Sequence, residues 1–427
     1  MKNIKSLLSV FAMQAGNYLF PIVTIPIVSR VFGPSLIGDL NYYVYIVTFF
    51  CLVIEYGFGY SAVRELTRNP DCKSDIFTRT LISKSFLLVF STLVAIFIAS
   101  RSDVDSSLFI GCYVLVLNSY FNITWFLQST GKVFLISILS IISKVVSLFL
   151  VVFTVKDKSD LVYYSYVVNV PIVLISIFSF LYFLFVFRIR IDISSKSIKE
   201  GFLNLVHSFW LFASKIAATL YTTVGVVILG YLSTSYDVGL YTSAQKIIGV
   251  FISLMSMPLS LILFPVLSKR ISSDLNEGIG LFKRIFPLLI MLCLASFLFI
   301  MFFSDKIVSL LLGEQFKECI PLLNILSVGF VFLFLGIVIG GQVILNLGYD
   351  RQFVIMQVFV GVVSLIFSFL FLKQYGAKGL AVIWSSSEGV VLIMQFIFIY
   401  KKGVFLLDIN NFKPGSILKT TMEIIKK

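Results

Sequence analysis

Apolar runs of about twenty residues recur from one end of this 427-residue chain to the other, with only short connections between them. About twenty apolar residues in a helix cross the ~30 Å hydrocarbon layer of a bilayer. A segment inside lipid must also satisfy every backbone N–H and C=O group from within the protein. Helices meet that demand segment by segment, so the pattern predicts an all-α polytopic membrane protein. Composition agrees: 59% of residues are hydrophobic and 13% are charged, where soluble domains carry roughly 25% charge. Twelve apolar segments are read, at 7–31, 40–58, 81–100, 108–128, 133–155, 161–187, 204–232, 239–267, 285–304, 319–345, 352–372 and 379–400.

Lysine and arginine then set an orientation, because cytoplasmic connections are enriched in both. With the N-terminus inside, 22 of the 34 fall in inner segments, 8 in outer ones, and Lys84, Lys144, Lys215 and Lys246 within spans. Twelve transmembrane helices with both termini cytoplasmic are expected. The net charge of +13 is mostly this topology signal, and no nucleic-acid partner is needed to explain it. The N-terminal segment carries Pro21 and Pro26 and no small-residue cleavage site, so it reads as an uncleaved first helix.

A shift of 217 residues lays "STGKVFLISILSIISKVVSLFLVV" (129–152) on "NLGYDRQFVIMQVFVGVVSLIFSF" (346–369), with Gly131 meeting Gly348 and Val145–Leu148 meeting Val362–Leu365. A weaker echo relates residues 33–47 to 233–250. Together they predict two six-helix bundles related by a parallel pseudo-two-fold repeat, a plan used by transporters that rock between two access states. The expected division is an N-terminal bundle at 1–187, a basic cytoplasmic linker at 188–203, a C-terminal bundle at 204–400 and a basic cytoplasmic tail at 401–427, lying along the anionic inner leaflet.

Charges inside spans carry the functional signal. A lysine at the bilayer centre costs at least ~2.5 kcal/mol, so Lys144 and Lys215, mid-span, are expected to face a polar cavity. Lys246 lies in the outer third of its span beside Gln245. Lys84, near a span end, is expected to reach the interface with its ammonium. Glu55 is expected to cap its turn or pair with Arg64, and Glu388 sits in the small-residue stretch "SSSEG". His207, the only histidine, is expected to be a hydrogen-bonded structural residue. Amide pairs share helix faces: Gln14 with Asn17, Asn118 with Asn122, and Gln342 with Asn346. Gly336 and Gly340 form a GxxxG, a close-packing signal.

Other chemistries are not encoded. The five cysteines are scattered, with no CxxC pair, so neither a disulfide framework nor a metal site is expected. There is no GxxxxGK[ST], HExxH or GxSxG, and no connection long enough to house a catalytic site. An enzyme is therefore not expected, and no cofactor is called for.

The stretch "NYLFPIVTIPIVSRVFGPSLIGDLNYY" (17–43), with its proline-bearing helix, Ser-Arg pair and Gly-Pro turn, resembles the opening of the O-antigen and polysaccharide flippases often called Wzx, within the multidrug/oligosaccharidyl-lipid/polysaccharide exporter superfamily. "EYGFGYSAVRELTRN" (55–69) looks like that family's turn after its second span. "LGYDRQF" (347–353) and "YGAKGLAVIWSSSEG" (375–389) are similar to its late turns.

The resemblance implies translocation of a polyprenyl-pyrophosphate-linked oligosaccharide to the outer leaflet of a bacterial inner membrane, through a cationic cavity. On that basis Arg30 and Arg64, from the two opening motifs, join Lys144, Lys215 and Lys246 as expected pyrophosphate-binding residues. Glu55 and Glu388 are the candidates for coupling to H+ or Na+. Membrane lipids and the polysaccharide polymerase machinery are the other partners it suggests. A cation-coupled multidrug exporter and a membrane polysaccharide polymerase or ligase stand as alternatives. More lysine than glutamate within the spans fits a cationic drug poorly.

Overall fold

The computed structural model describes residues 2–101, 104–130, 133–219, 223–259 and 263–406, with the side chains described from residue 20 onward apart from a few positions such as Lys215. Almost every described residue is helical. Eight stretches among them are long and apolar enough to cross a membrane.

Two of the longest helices are broken by a single glycine. The first, α1 (Lys2–Glu55), turns at Gly33, whose φ of 72° and ψ of 178° are non-helical. Glycine adopts that φ without steric cost, and Pro34 next to it suits the first position of the second arm. The last, α15 (Asp350–Lys401), turns at Gly376, with φ 49° and ψ −136°. Both are therefore pairs of helical arms.

After α1 the chain reverses through Tyr56 (φ 43°) and Gly57 (φ 86°) into the short α2 (Phe58–Arg68). Phe58, Ala62 and Leu66 recur every four residues and are buried, leaving the polar residues between them on the opposite face. Helix α3 (Lys73–Ala99) follows, then a segmented passage of α4 (Ser106–Tyr113), α5 (Leu115–Phe121) and α6 (Thr124–Ser129). Next come α7 (Val133–Thr154), α8 (Leu161–Val186) and α9 (Ser195–Thr219). An aromatic cluster ties these together at the Gly57 end: the Phe77 ring lies 5.7 Å from Phe126 and Phe180 and 5.8 Å from Trp125.

The remaining helices are α10 (Gly225–Leu232), α11 (Ser235–Pro258), α12 (Phe264–Ser273), α13 (Leu275–Leu311) and α14 (Cys319–Gly336), which runs into a π-helical segment, Ile337–Ile344, before α15. Gly340, the second glycine of the GxxxG, lets Phe353 and the Gln395 amide approach the π segment; a Cβ there would fall 2.5 Å from Phe353 Cε2 and 2.7 Å from Gln395 Nε2.

The chain divides into two compact units, Met1–Thr219 and Leu220–Lys427. This differs from the expected division, which placed 188–203 as a linker and 204 as the start of the second bundle. The reason is local. Helix α9 packs on α3, where Gly201 admits Ile82 and its carbonyl accepts the Ser83 hydroxyl at 2.8 Å. That contact holds residues 204–219 in the first unit. The expected tail lies mostly outside the described residues.

The outward faces of several long helices are apolar, as with Phe90, Leu93 and Phe97 on α3, Phe149 and Phe153 on α7, and Phe178, Leu181 and Phe185 on α8. In water such continuous faces would associate; in lipid they are the solvated surface. The chain is a multi-pass membrane protein.

Candidate functional site: two polar recesses in the first unit

The first recess, of about 260 Å³, lies between α2 and α9. The polar face of α2 contributes Ser61, Arg64, Glu65, Arg68 and, just past its end, Asn69; α9 contributes Asn204, His207 and Ser208. The wall is fastened by Ser208 Oγ donating to Ser61 Oγ at 3.2 Å and by Asn204 Nδ2 donating to Ser83 Oγ at 3.0 Å. Tyr56 stacks on Phe212, centroids 4.2 Å apart, and closes α9 against the turn.

The charges are unequal. Glu65 is engaged by an ion pair with Arg79. Arg64 and Arg68 are exposed, and among the described residues neither forms an ion pair. Two uncommitted guanidiniums facing amides, hydroxyls and an imidazole favour a ligand with several anionic oxygens, because the planar guanidinium binds phosphate through two parallel N–H donors. Of the two roles expected for Glu55, capping its turn or pairing with Arg64, the ion pair with Arg64 is not found among the described residues. His207, expected as a hydrogen-bonded structural residue, is instead exposed on the recess wall.

The second recess, of about 340 Å³, holds Lys144. It is bounded by the α5–α6 break, α7 and α8, and lined by Asn118, Asn122, Gln128, Ser140, Ser143 and Ser176 among others. Ser176 donates to Asn118 Oδ1, and Asn122 Oδ1 caps α6 by accepting from Thr124 N at 2.8 Å. Lys144 is half-buried, with no hydrogen bond or ion pair among the described residues. Lys144 shares this pocket with amide and hydroxyl side chains.

Sequence reasoning missed the lysine with the most consequence for architecture. Lys84 does not reach an interface: it is 4% exposed. Its Nζ donates to the carbonyls of Ser119 (2.8 Å), Asn122 (3.3 Å) and Tyr120 (3.4 Å). These are carbonyls at the end of α5, where the helix leaves its last acceptors unused and its dipole is negative. The polar sequence "NSYFN" in an apolar span was the available signal that a helix breaks there.

The other expected site residues are dispersed. Arg30 is exposed near Gly33, whereas Arg64 lies beyond Glu55; the helical arm between them is about 33 Å long. Lys246 is on α11 in the second unit, exposed beside buried Ile247 and Ile248. Glu388 is buried on α15, at 2% exposure, and Glu55 is half-buried at the end of α1. The Lys215 side chain, like those of Gln14 and Asn17, lies outside the described residues. Among the described residues, Arg64 and Lys144 line separate recesses.

Apolar helices enclosing polar, cation-bearing recesses define an all-helical polytopic membrane protein with room for an anionic ligand. The chain belongs to the polysaccharide biosynthesis protein family, whose profile matches residues 4–271. It is 24% identical over 395 residues to an Escherichia coli (strain K12) protein named "Putative O-antigen transporter", covering 91% of this chain and 94% of that one. Among solved structures it is similar to the lipid II flippase MurJ in an inward closed conformation, with a TM-score of 0.71 at 14% identity over 99% of this chain and 92% of the other. An inward-facing multidrug-resistance MATE transporter gives a TM-score of 0.67 at 15% identity, covering 91% and 94%. These structures share its fold.

Proposed function

We propose that this protein is a flippase. It moves polyprenyl-pyrophosphate-linked polysaccharide repeat units, such as those of O-antigen, from the cytoplasmic to the periplasmic leaflet of the bacterial inner membrane. Twelve crossings, arranged as a parallel repeat with both termini cytoplasmic, would give two halves able to alternate access. The relative from Escherichia coli is named for O-antigen transport, and the MurJ neighbour is a lipid II flippase; both names agree with an anionic lipid-linked cargo and with a transporter in place of an enzyme.

The observation that carries the reading is the Arg64–Arg68 recess. A pyrophosphate leaving water loses solvation, and only cations and donors held ready for it offset that loss. On the proposed orientation this recess opens on the cytoplasmic side, where cargo is loaded, and Arg30 stands at the far end of the same helical arm, where it is released. Lys144 and its hydroxyl-lined pocket supply a second polar surface for the head group or its sugars, with Lys215 and Lys246 as further cations on the path. Glu55 and Glu388 are the carboxylates through which H+ or Na+ could drive the cycle. The polymerase machinery is the downstream partner such a product requires.

The test is complementation. The chain is expressed in a bacterium lacking its own polysaccharide flippase and supplied with a matched repeat unit, beside the Arg64→Ala/Arg68→Ala double variant. Surface polymer with wild type and at least a tenfold loss with the double variant, at equal membrane abundance, is expected. Polymer at wild-type level from the variant removes the recess from the pathway. A well-expressed wild type that restores no polymer with any of several repeat units, yet confers export of cationic dyes, replaces the flippase with a drug exporter.

A further inference from the structure

Within the Lys144 recess, the hydrogen bonds already made decide what a ligand would meet. Ser176 Oγ donates to Asn118 Oδ1, and Asn122 Oδ1 accepts from Thr124 N at 2.8 Å. Each amide is thereby turned so that its Nδ2 donors stay uncommitted among the described residues. The hydroxyls are set the other way. Ser143 Oγ donates to the Ser140 carbonyl at 2.8 Å, and Ser179 Oγ to the Ile175 carbonyl, as Ser176 does to Asn118. A hydroxyl has one proton and two lone pairs, so these three serines offer a ligand acceptors alone. Lys144 adds an ammonium, a donor without an acceptor, and it is the one charged residue among those described around the recess. Ile172 and Ile175 supply an apolar wall.

At about 340 Å³ the recess is at the small end of ligand pockets, the size for a single ring. A lipid tail offers nothing to its polar groups, and covering each one unpaired costs about 1–3 kcal/mol. A pyrophosphate carries more than one negative charge, and a lone ammonium leaves the excess uncompensated away from water. A neutral sugar suits the amides and hydroxyls but leaves the ammonium unpaired. The head group of phosphatidylglycerol matches the charge, yet brings fewer hydroxyls than there are serine oxygens and has no ring face for the isoleucines. A pyranose with one carboxylate meets every part. Its carboxylate takes the ammonium and amide N–H donors, its hydroxyls donate to the serine oxygens, and its C–H face lies on the apolar wall. We propose that this recess is a subsite for an acidic sugar of the hexuronic acid class, and that Lys144 makes the protein selective for repeat units that carry one. The proposal rests on the flippase reading and narrows it to a chemical class of cargo.

The experiment is translocation by the full chain in phosphatidylcholine proteoliposomes. Two polyprenyl-pyrophosphate-linked disaccharides are compared that differ only in glucuronate against glucose, and a membrane-impermeant oxidant of sugar diols reads the leaflet. Wild type is expected to move the glucuronate cargo at least fivefold faster. Lys144→Gln should bring the two rates to within about twofold. Asn118→Asp, which keeps an acceptor for Ser176 and adds a carboxylate to the recess, should do the same. Arg64→Ala should slow both cargoes alike and keep their ratio. Equal rates with wild type would overturn the subsite and leave the flippase intact, and so would a Lys144→Gln variant that keeps the wild-type preference. A preference lost when phosphatidylglycerol replaces part of the phosphatidylcholine would assign the recess to a lipid head group and overturn the proposal. Movement of neither cargo by a wild type that elutes as a single folded species would overturn the subsite and the flippase reading together.

Discussion

Lys84 Nζ donates to the Ser119 carbonyl at 2.8 Å, while its neighbour Ser83 accepts the Asn204 amide at 3.0 Å. Adjacent residues of α3 thus fasten the walls of two recesses: Asn122, whose carbonyl Lys84 also holds, lines the Lys144 pocket, and Asn204 lines the Arg64 pocket. Lys84→Met leaves three buried carbonyls without their charged donor. An orphaned buried polar group costs about 1–3 kcal/mol, so a loss of about 2 kcal/mol is expected, read as a lower Tm in detergent. Tm unchanged from wild type would show that the α5–α6 break holds without Lys84.

Arg64 and Arg68 should behave in the opposite way. Exposed and outside any ion pair among the described residues, each can be changed to Ala with a stability change within ~0.5 kcal/mol. Transport should fall about tenfold or more for each, since a charge-assisted hydrogen bond is worth about 1.5–3 kcal/mol. Arg64→Lys should recover only part, because an ammonium cannot offer the two-donor fork. A surface-polymer assay at matched membrane abundance reads both effects.

Lys144→Met separates cargo binding from folding. No acid pairs with Lys144 among the described residues, so its removal strands no opposite charge, and removing a half-buried ammonium relieves desolvation. Equal or higher Tm together with reduced transport is expected. A drop in Tm would mean that the ammonium is structural.

Gly278 and Gly280, two residues apart on α13, should respond with opposite sign to Ala. A Cβ at Gly278 would sit 2.9 Å from the Ile271 backbone nitrogen and 3.0 Å from its Cα, and backbone cannot swing aside. Overpacking of this kind costs about 1–3 kcal/mol. At Gly280 nothing lies within 4 Å, and Gly→Ala in a compatible helix stabilises by about 0.4–1 kcal/mol. Parallel thermal melts decide it.

The Lys317–Glu314 pair, 2.5 Å apart and exposed on both sides, makes a pH prediction. The Glu314 carboxylate, by hydrogen bond and charge, raises the Lys317 pKa above its usual value. A raised lysine contributes stability that is complete at neutral pH and fades only as pH climbs past ~10. Solvent screens so exposed a pair, so Lys317→Ala should leave Tm unchanged between pH 6 and 9. A pH-dependent Tm difference within that range would contradict it.

The sequence alone determined the solvent of this protein and its helical class, though not the break between α5 and α6. Apolar runs of bilayer length admit only helices, and Gly33-Pro34 and Gly376 mark the turns within α1 and α15 because few other residues accept those dihedrals. It also gave the opening motifs with Arg30 and Arg64, and a mid-span Lys144 that had to find polar company. Tertiary structure decided the rest. Nothing in a one-dimensional pattern says that α9 packs on α3 through Gly201, so the division at 219–220 and the contribution of His207 and Asn204 to the Arg64 recess were not legible. Nor does it say which way a lysine turns. Lys84 and Lys144 are both cations in apolar helices; one pins broken backbone and the other lines an open pocket. The difference lies in the neighbours each meets from elements 35 or more residues away in the case of Lys84, and from α5, α6 and α8 in the case of Lys144. Burial of a charge is set by such distant partners, and these exist only once the chain has folded.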